Sequence, residues 1–187
     1  MNNAWGGYEH MVEKTAEDGW DFTWPRPFWE QPLWRWDAMF ASGVRATYTA
    51  SRLGARLMVA QKSGLIANIS FWAAQKYLGN TAYGAAKAAT DKLTRDMAHE
   101  LLDHGVTLVS LYPGLVRTES VLRDAAEFDL SNSESQQFVG RAVAALASDP
   151  QVMRKSGQVL VAAALGQEYG FGDIDGKQPR PVTLEEA

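Results

Sequence analysis

The chain has 187 residues, a net charge of −4 and no cysteine. That length suits one domain with a core of its own, and a composition nearly half apolar is that of a folded globular protein. Disulfides and thiolate metal sites are excluded. The basic residues form no cluster suited to nucleic acid, and no apolar run approaches the ~20 residues of a membrane span. The opening MNNAWGGYEHMVEK lacks the apolar core of a signal peptide, so the expected compartment is the cytoplasm.

Residues 1–34 read as loop and cover. MNNAWGG favours turns, and GWDFTWPRPFWEQPLWRW carries Trp20, Trp24, Trp29, Trp34 and Trp36 among prolines that forbid a regular helix. These tryptophans are expected to pack around the first long helix; a lid over an apolar substrate, or a membrane-surface or partner contact, are the alternatives. From about Trp34, Met39, Phe40, Val44, Tyr48, Leu53, Leu57 and Met58 recur at helical spacing, and Lys62-Ser63-Gly64 is expected to end that helix with glycine as its cap. LIANIS reads as a buried strand, and a second long helix runs from about Thr81 to Asp103. VTLVSLY is the next strand, stopped by Pro113-Gly114; a helix follows from about Glu134 to Leu146, then GQVLVAAAL as a third strand. The tail GFGDIDGKQPRP is turn and loop. Near-continuous apolar strands alternating with helices predict an α/β fold whose parallel sheet is covered on both faces, with its strands in sequential order.

Ligands of such sheets bind beyond the C-terminal strand ends. Ser70 ends the first strand, Tyr83 and Lys87 open the next helix, and Pro113 and Gly114 end the second strand. Tyr83 and Lys87 stand four apart and share a helix face. A neighbouring ammonium favours a phenolate and is expected to lower a tyrosine pKa by roughly one to three units, bringing the phenol toward general acid/base work. Ser70 supplies a hydroxyl to hold a substrate oxygen. The bland alternative is a tyrosine and a lysine that merely share a helix. Phe71, Trp72 and Tyr77 lie between Ser70 and Tyr83, and suggest an apolar or aromatic substrate pocket or else core. His10, His99 and His104 lack metal-ligand spacing, so no metal site is expected.

Taken together, these residues resemble the short-chain dehydrogenase/reductase family. Ser70 stands before YGAAK as the family's serine stands before its Tyr-x-x-x-Lys; YPGLVRTES is similar to its Pro-Gly loop; MNNAWGG is similar to its Asn-Asn-Ala-Gly motif, with Trp5 in place of the usual glycine. The resemblance runs from Asn2 to about Pro181. It implies the C-terminal part of a Rossmann-like doubly wound sheet, with about three strands, a cover over 1–34, a catalytic portion over 35–181 and a tail at 182–187. It further implies hydride transfer between NAD or NADP and a small apolar or aromatic carbonyl or alcohol. Tyr83 would be the acid/base, Lys87 would hold the cofactor ribose, and Ser70 would orient the carbonyl. Pro113, Gly114, Val116 and Thr118 would border the nicotinamide, with Asn3 and Ala4 near the ribose. The helices at about 35–62 and 81–103 would pair two copies of the chain. Two departures accompany the resemblance. Gly43 stands where the family has a water-binding asparagine, and no Gly-rich strand–turn–helix for the pyrophosphate is found. At ~30 residues per βα unit, the missing half would measure roughly 80 to 90 residues, with Met1 as a misplaced start. The competing expectation is a truncated, non-catalytic fragment or interaction module that cannot bind the dinucleotide.

Overall fold

The computed structural model describes residues 1–14, 19–123 and 125–187. Its centre is a three-stranded parallel sheet, β3 (Gly64–Ile69), β4 (Val106–Tyr112) and β5 (Val159–Val161), in sequential order. Ahead of it lies an antiparallel hairpin, β1 (Val12–Lys14) and β2 (Trp20–Phe22). A continuous helical rod follows, made of α1 (Leu33–Ala38), a π-helical stretch Met39–Arg45, and α2 (Ala46–Gln61). Helix α3 (Thr81–Leu101) crosses from β3 to β4; α4 (Glu119–Arg123) and α5 (Gln136–Ser148) lead to β5; α6 (Ala162–Tyr169) closes the order.

The period of two along each strand divides the core. Ile66, Val106 and Leu108 face Ala98 and Leu101 of α3, with Met58 and Val59 of α2 packed beside them. Ala67, Val109 and Leu111 face Phe138, Val139, Ala142 and Leu146 of α5 and Ala163 and Leu165 of α6. Helices thus cover both faces, as a parallel sheet requires. The first face also buries a polar chain. Asn68 Nδ2 donates to Thr94 Oγ1 at 2.9 Å, the Ser110 hydroxyl donates to the same oxygen at 3.0 Å, and Asn2 Nδ2 bonds Asn68 Oδ1 at 2.7 Å and Ser51 Oγ at 2.9 Å. This network pins Asn2 to the free edge of β3. Its N–H donates to the Ala67 carbonyl at 2.8 Å, and its carbonyl accepts from Ile69 N–H at 3.0 Å.

Several boundaries differ from the sequence reading. The opening is not all loop, since it holds the β1–β2 hairpin; part of the connection between those strands falls outside the described residues. The first long helix ends on Lys62 itself, at a φ of 54°, with its N–H on Val59 O and that of Ser63 on Met58 O. Gly64 opens β3 instead, where a Cβ would come within 2.5 Å of the Met58 side chain. The third strand stops at Val161, because the run after it, rich in alanine and other good helix formers, turns into α6. Among the described residues no helix is long and apolar enough to cross a membrane.

Candidate active site

Ser70 follows β3 directly. Its N–H donates to Leu111 O at 3.0 Å and its hydroxyl to the Lys87 carbonyl at 3.2 Å, so the strand end and α3 are tied at the point where chemistry is expected. Helix α3 starts there because Asn80 caps it: Asn80 Oδ1 accepts Tyr83 N–H at 3.0 Å. The other end of that amide donates to the Trp24 carbonyl at 3.1 Å, so the cap also fastens the tryptophan-rich cover over the helix start.

Tyr83 is buried inside an aromatic cage. Trp24 lies 5.3 Å from its ring centroid, Trp5 5.5 Å, Tyr8 6.2 Å and Phe71 6.5 Å. Burial pushes the Tyr83 phenol well above its ordinary range, helped by the neighbouring Tyr8, with which it shares a hydrogen bond. This reverses the expected lowering by Lys87: desolvation in the cage sets the direction. Lys87 is itself 6% exposed. Its Nζ lies 4.0 Å from the Trp5 ring centroid, 5.6 Å from that of Tyr83, and 3.4 Å from the Ile69 carbonyl. Burial lowers its pKa to about 8, against the opposing pull of Asp91 one turn on.

The structure therefore brings Ser70, Tyr83 and Lys87 together. Of the three expected pocket aromatics, only Phe71 faces Tyr83. Trp72 packs edge-on against Tyr112 at 5.1 Å, and Tyr77 is exposed. Asn3 and Ala4 are exposed residues just beyond Asn2 at the sheet edge. Pro113 and Gly114 follow β4, Val116 packs on the α5 side of the core, and Thr118 Oγ1 accepts Val121 N–H at 3.3 Å at the start of α4. The backbone of that loop is laced to Glu134, with Glu134 N–H on Leu115 O and Arg117 N–H on Glu134 O, both at 2.8 Å.

Sequence reasoning passed over Glu134. Its side chain is buried against Gly114, whose Cβ, if present, would come within 3.0 Å of Oε1, and its Oε2 has no hydrogen-bond partner among the described residues. Burial raises its pKa to about 7. Nearby, Arg117 bridges Asp173 at 2.9 Å and Asp175 at 3.3 Å. Trp5 and Tyr8 were also missed as site residues, and Trp24 was read only within the tryptophan-rich cover, with a lid as one alternative. Their only sequence signal was the density of aromatic residues, with Trp5 in a motif position that usually holds glycine. A separate concavity of about 650 Å³ between the helical rod and α3 is lined by Phe40, Val44, Tyr48 and Leu93, and Tyr83 is not in its lining.

A parallel sheet covered on both faces, with a serine at a strand end and a Tyr-x-x-x-Lys on the next helix, defines a class, and sequence comparison agrees: residues 10–127 match the family model for short chain dehydrogenase, and the chain belongs to that family. Among particular proteins it is similar to dehydrogenase/reductase SDR family member 1 of Mus musculus, with 40% identity over 195 residues, and to the Homo sapiens protein of the same name, with 38%. Each alignment covers 97% of this chain and 58% of the relative, so the chain spans little more than half the length of these curated proteins. Among solved structures, the acetoin dehydrogenase from Enterobacter cloacae is 29% identical, with a TM-score of 0.61 over 72% of this chain and 56% of that one. A Beutenbergia cavernae protein crystallised with NADP at low occupancy is 30% identical, with a TM-score of 0.63 over 73% and 59%.

Proposed function

We propose that this chain is the catalytic portion of an NAD(P)-dependent oxidoreductase acting on a small apolar or aromatic carbonyl or alcohol, with Tyr83 as general acid/base. The observation that carries the reading is the convergence of Ser70, Tyr83 and a buried Lys87. The Lys87 ammonium has three donor protons and, among the described residues, one long hydrogen bond, to the Ile69 carbonyl. An ammonium with donors to spare fits ribose hydroxyls, so the nicotinamide side of a dinucleotide suits these residues. The nicotinamide would supply or accept the hydride. Lys87 would orient the ribose, Ser70 would hold the substrate oxygen, and the Pro113–Thr118 loop would border the ring. Tyr83 carries the proton that a carbonyl oxygen would take up on reduction; because burial holds that proton tightly, opening of the aromatic cage on ligand binding would have to bring its pKa down toward neutral for efficient transfer. The Tyr8 hydroxyl, now bonded to Tyr83, occupies the place that oxygen would take.

The pyrophosphate cradle is the part these residues do not offer. We assign it to sequence preceding the sheet, which would extend β3 on the edge where Asn2 now forms a single bridge. Pairing of two copies through the rod and α3, and a cytoplasmic setting, belong to the same reading. The alternative, a non-catalytic module, draws on the closed aromatic cage around Tyr83 and on a phenol moved away from neutral pH.

The test is carbonyl reduction by the chain joined to its upstream reading frame, with NADH or NADPH. Tyr83→Phe is expected to lower kcat by about 10²-fold or more. Unchanged turnover would remove Tyr83 from the proton-transfer role.

A further inference from the structure

Two oddities of the sequence meet in space. Trp5 stands where the family resemblance implies glycine, and Gly43 where it implies an asparagine. In the structure the Trp5 ring lies in the space a side chain at 43 would need: a Cβ on Gly43 would come within 2.6 Å of Trp5 Cζ3 and 2.8 Å of Cε3. These are atoms of a rigid ring, whose place is also set by Tyr8 at 5.9 Å and Tyr83 at 5.5 Å. Gly43 sits in the π-helical stretch, and Gly6 and Gly7 lie directly on that stretch; their Cβ positions would fall 3.0 Å from Ser42 Oγ and 2.6 Å from Met39 Cγ. The glycines let the segment that carries Trp5 descend onto the rod.

On its other side, the ring faces Lys87 Nζ at 4.0 Å from the centroid. The indole Nε1 has no partner among the described residues, so no hydrogen bond of its own explains the ring's position. Besides the Ile69 carbonyl at 3.4 Å, few groups among the described residues face the ammonium. Tyr83 is a phenol held protonated, Ser70 spends its hydroxyl on the Lys87 carbonyl, and Asp91 lies one turn away, bonded by the Tyr112 hydroxyl. A buried ammonium needs compensation, and an aromatic face supplies it through the ring quadrupole.

We propose that Trp5 and Gly43 act as one unit that positions Lys87: the indole face holds the ammonium by a cation–π contact in the place where a polar side chain at position 43 would otherwise serve it. This rests on the reading of Lys87 as the site's lysine, and assigns Trp5 as a positioning residue for it.

The experiment follows the Lys87 side-chain NMR resonance, assigned through Lys87→Arg, against pH in the chain without dinucleotide or substrate. Trp5→Phe, which keeps an aromatic face, is expected to titrate as the parent does. Trp5→Leu, apolar without a π face, is expected to lower the Lys87 pKa by about one unit. A pKa unchanged or raised in Trp5→Leu overturns the proposal, because the ring then only excludes water. The second arm is thermal. Gly43→Ala is expected to lower Tm in the parent and to raise it in the Trp5→Gly background, where the clash is gone and alanine's helix propensity remains. The same loss in both backgrounds overturns the unit, and this arm decides alone if Trp5→Leu does not fold. Neither arm measures turnover, so a failed Tyr83→Phe assay leaves both results standing.

Discussion

Glu134 and Lys87 are buried groups whose titration is moved toward the neutral range. A carboxyl with a folded pKa of about 7, against 4.5 unfolded, contributes stability that is full below 4.5 and lost as pH rises through 7. Lys87 works in the opposite sense: its folded pKa of about 8 lies below the unfolded 10.5, so burying it costs stability below 8, and the cost disappears as pH rises toward 10.5. Glu134→Gln removes the first effect. Relative to the parent, the variant should gain stability progressively between pH 4.5 and 7, by on the order of 3 kcal/mol. Paired urea denaturations across that range would show it, and a constant difference would mean that Glu134 does not titrate there. At this scale Ser70, Tyr83 and Lys87 were legible because short sequence separations and one helix period fix their relation. Trp5, Tyr8 and Glu134 were not: their contacts depend on where distant loops land. The expected lowering of the Tyr83 pKa failed for the same reason, since three of the four cage residues, Trp5, Tyr8 and Trp24, stand some sixty to eighty positions away in sequence.

One buried side chain at the start of the rod ties the hairpin part of the cover to it. Arg35, at 1% exposure and without an ion-pair partner among the described residues, donates to the His10 carbonyl at 3.2 Å and to Thr23 Oγ1 at 2.8 Å; it also bonds Gln31 Oε1 and lies 5.2 Å from the Trp34 ring. Burial lowers its pKa, against the opposing pull of Glu13. Arg35→Met keeps the bulk and strips the donors from the carbonyls it serves, at a cost of about 2–3 kcal/mol. Hydrogen exchange should quicken in Val12–Lys14 and Trp20–Phe22 while β4 keeps its protection; equal loss in β4 would mean that Arg35 supports the whole core instead. The expectation that the tryptophans pack around the first long helix is not met: Trp34 and Trp36 lie within the rod and are exposed, Trp29 is exposed, and Trp24 covers Tyr83 instead. The long helices and β4 were legible from periodicity over many residues. The hairpin and the β5–α6 junction were not: three-residue strands carry too little pattern, and an apolar run reads alike as strand or buried helix.

Across the whole molecule, alternating residues sort helices α2 and α3 to one face and α5 and α6 to the other, as the order of elements foretold. That order does not say what lies beyond β3. Asn2, held by Asn68 and Ser51, marks that edge as a place where sheet can continue, and the cradle for a pyrophosphate is sought there. The central claim is that the Ser70–Tyr83–Lys87 site serves a nicotinamide once sheet and cradle are joined. Trp5, whose ring lies 4.0 Å from Lys87 Nζ, reports on it directly. The decisive measurement is a titration of the upstream-extended protein with NADPH and NADH, exciting tryptophan and reading nicotinamide emission. Saturable energy transfer with at least one of the two, absent or far weaker in the 187-residue chain alone, is the predicted result; no saturable signal from the extended protein with either dinucleotide would contradict it.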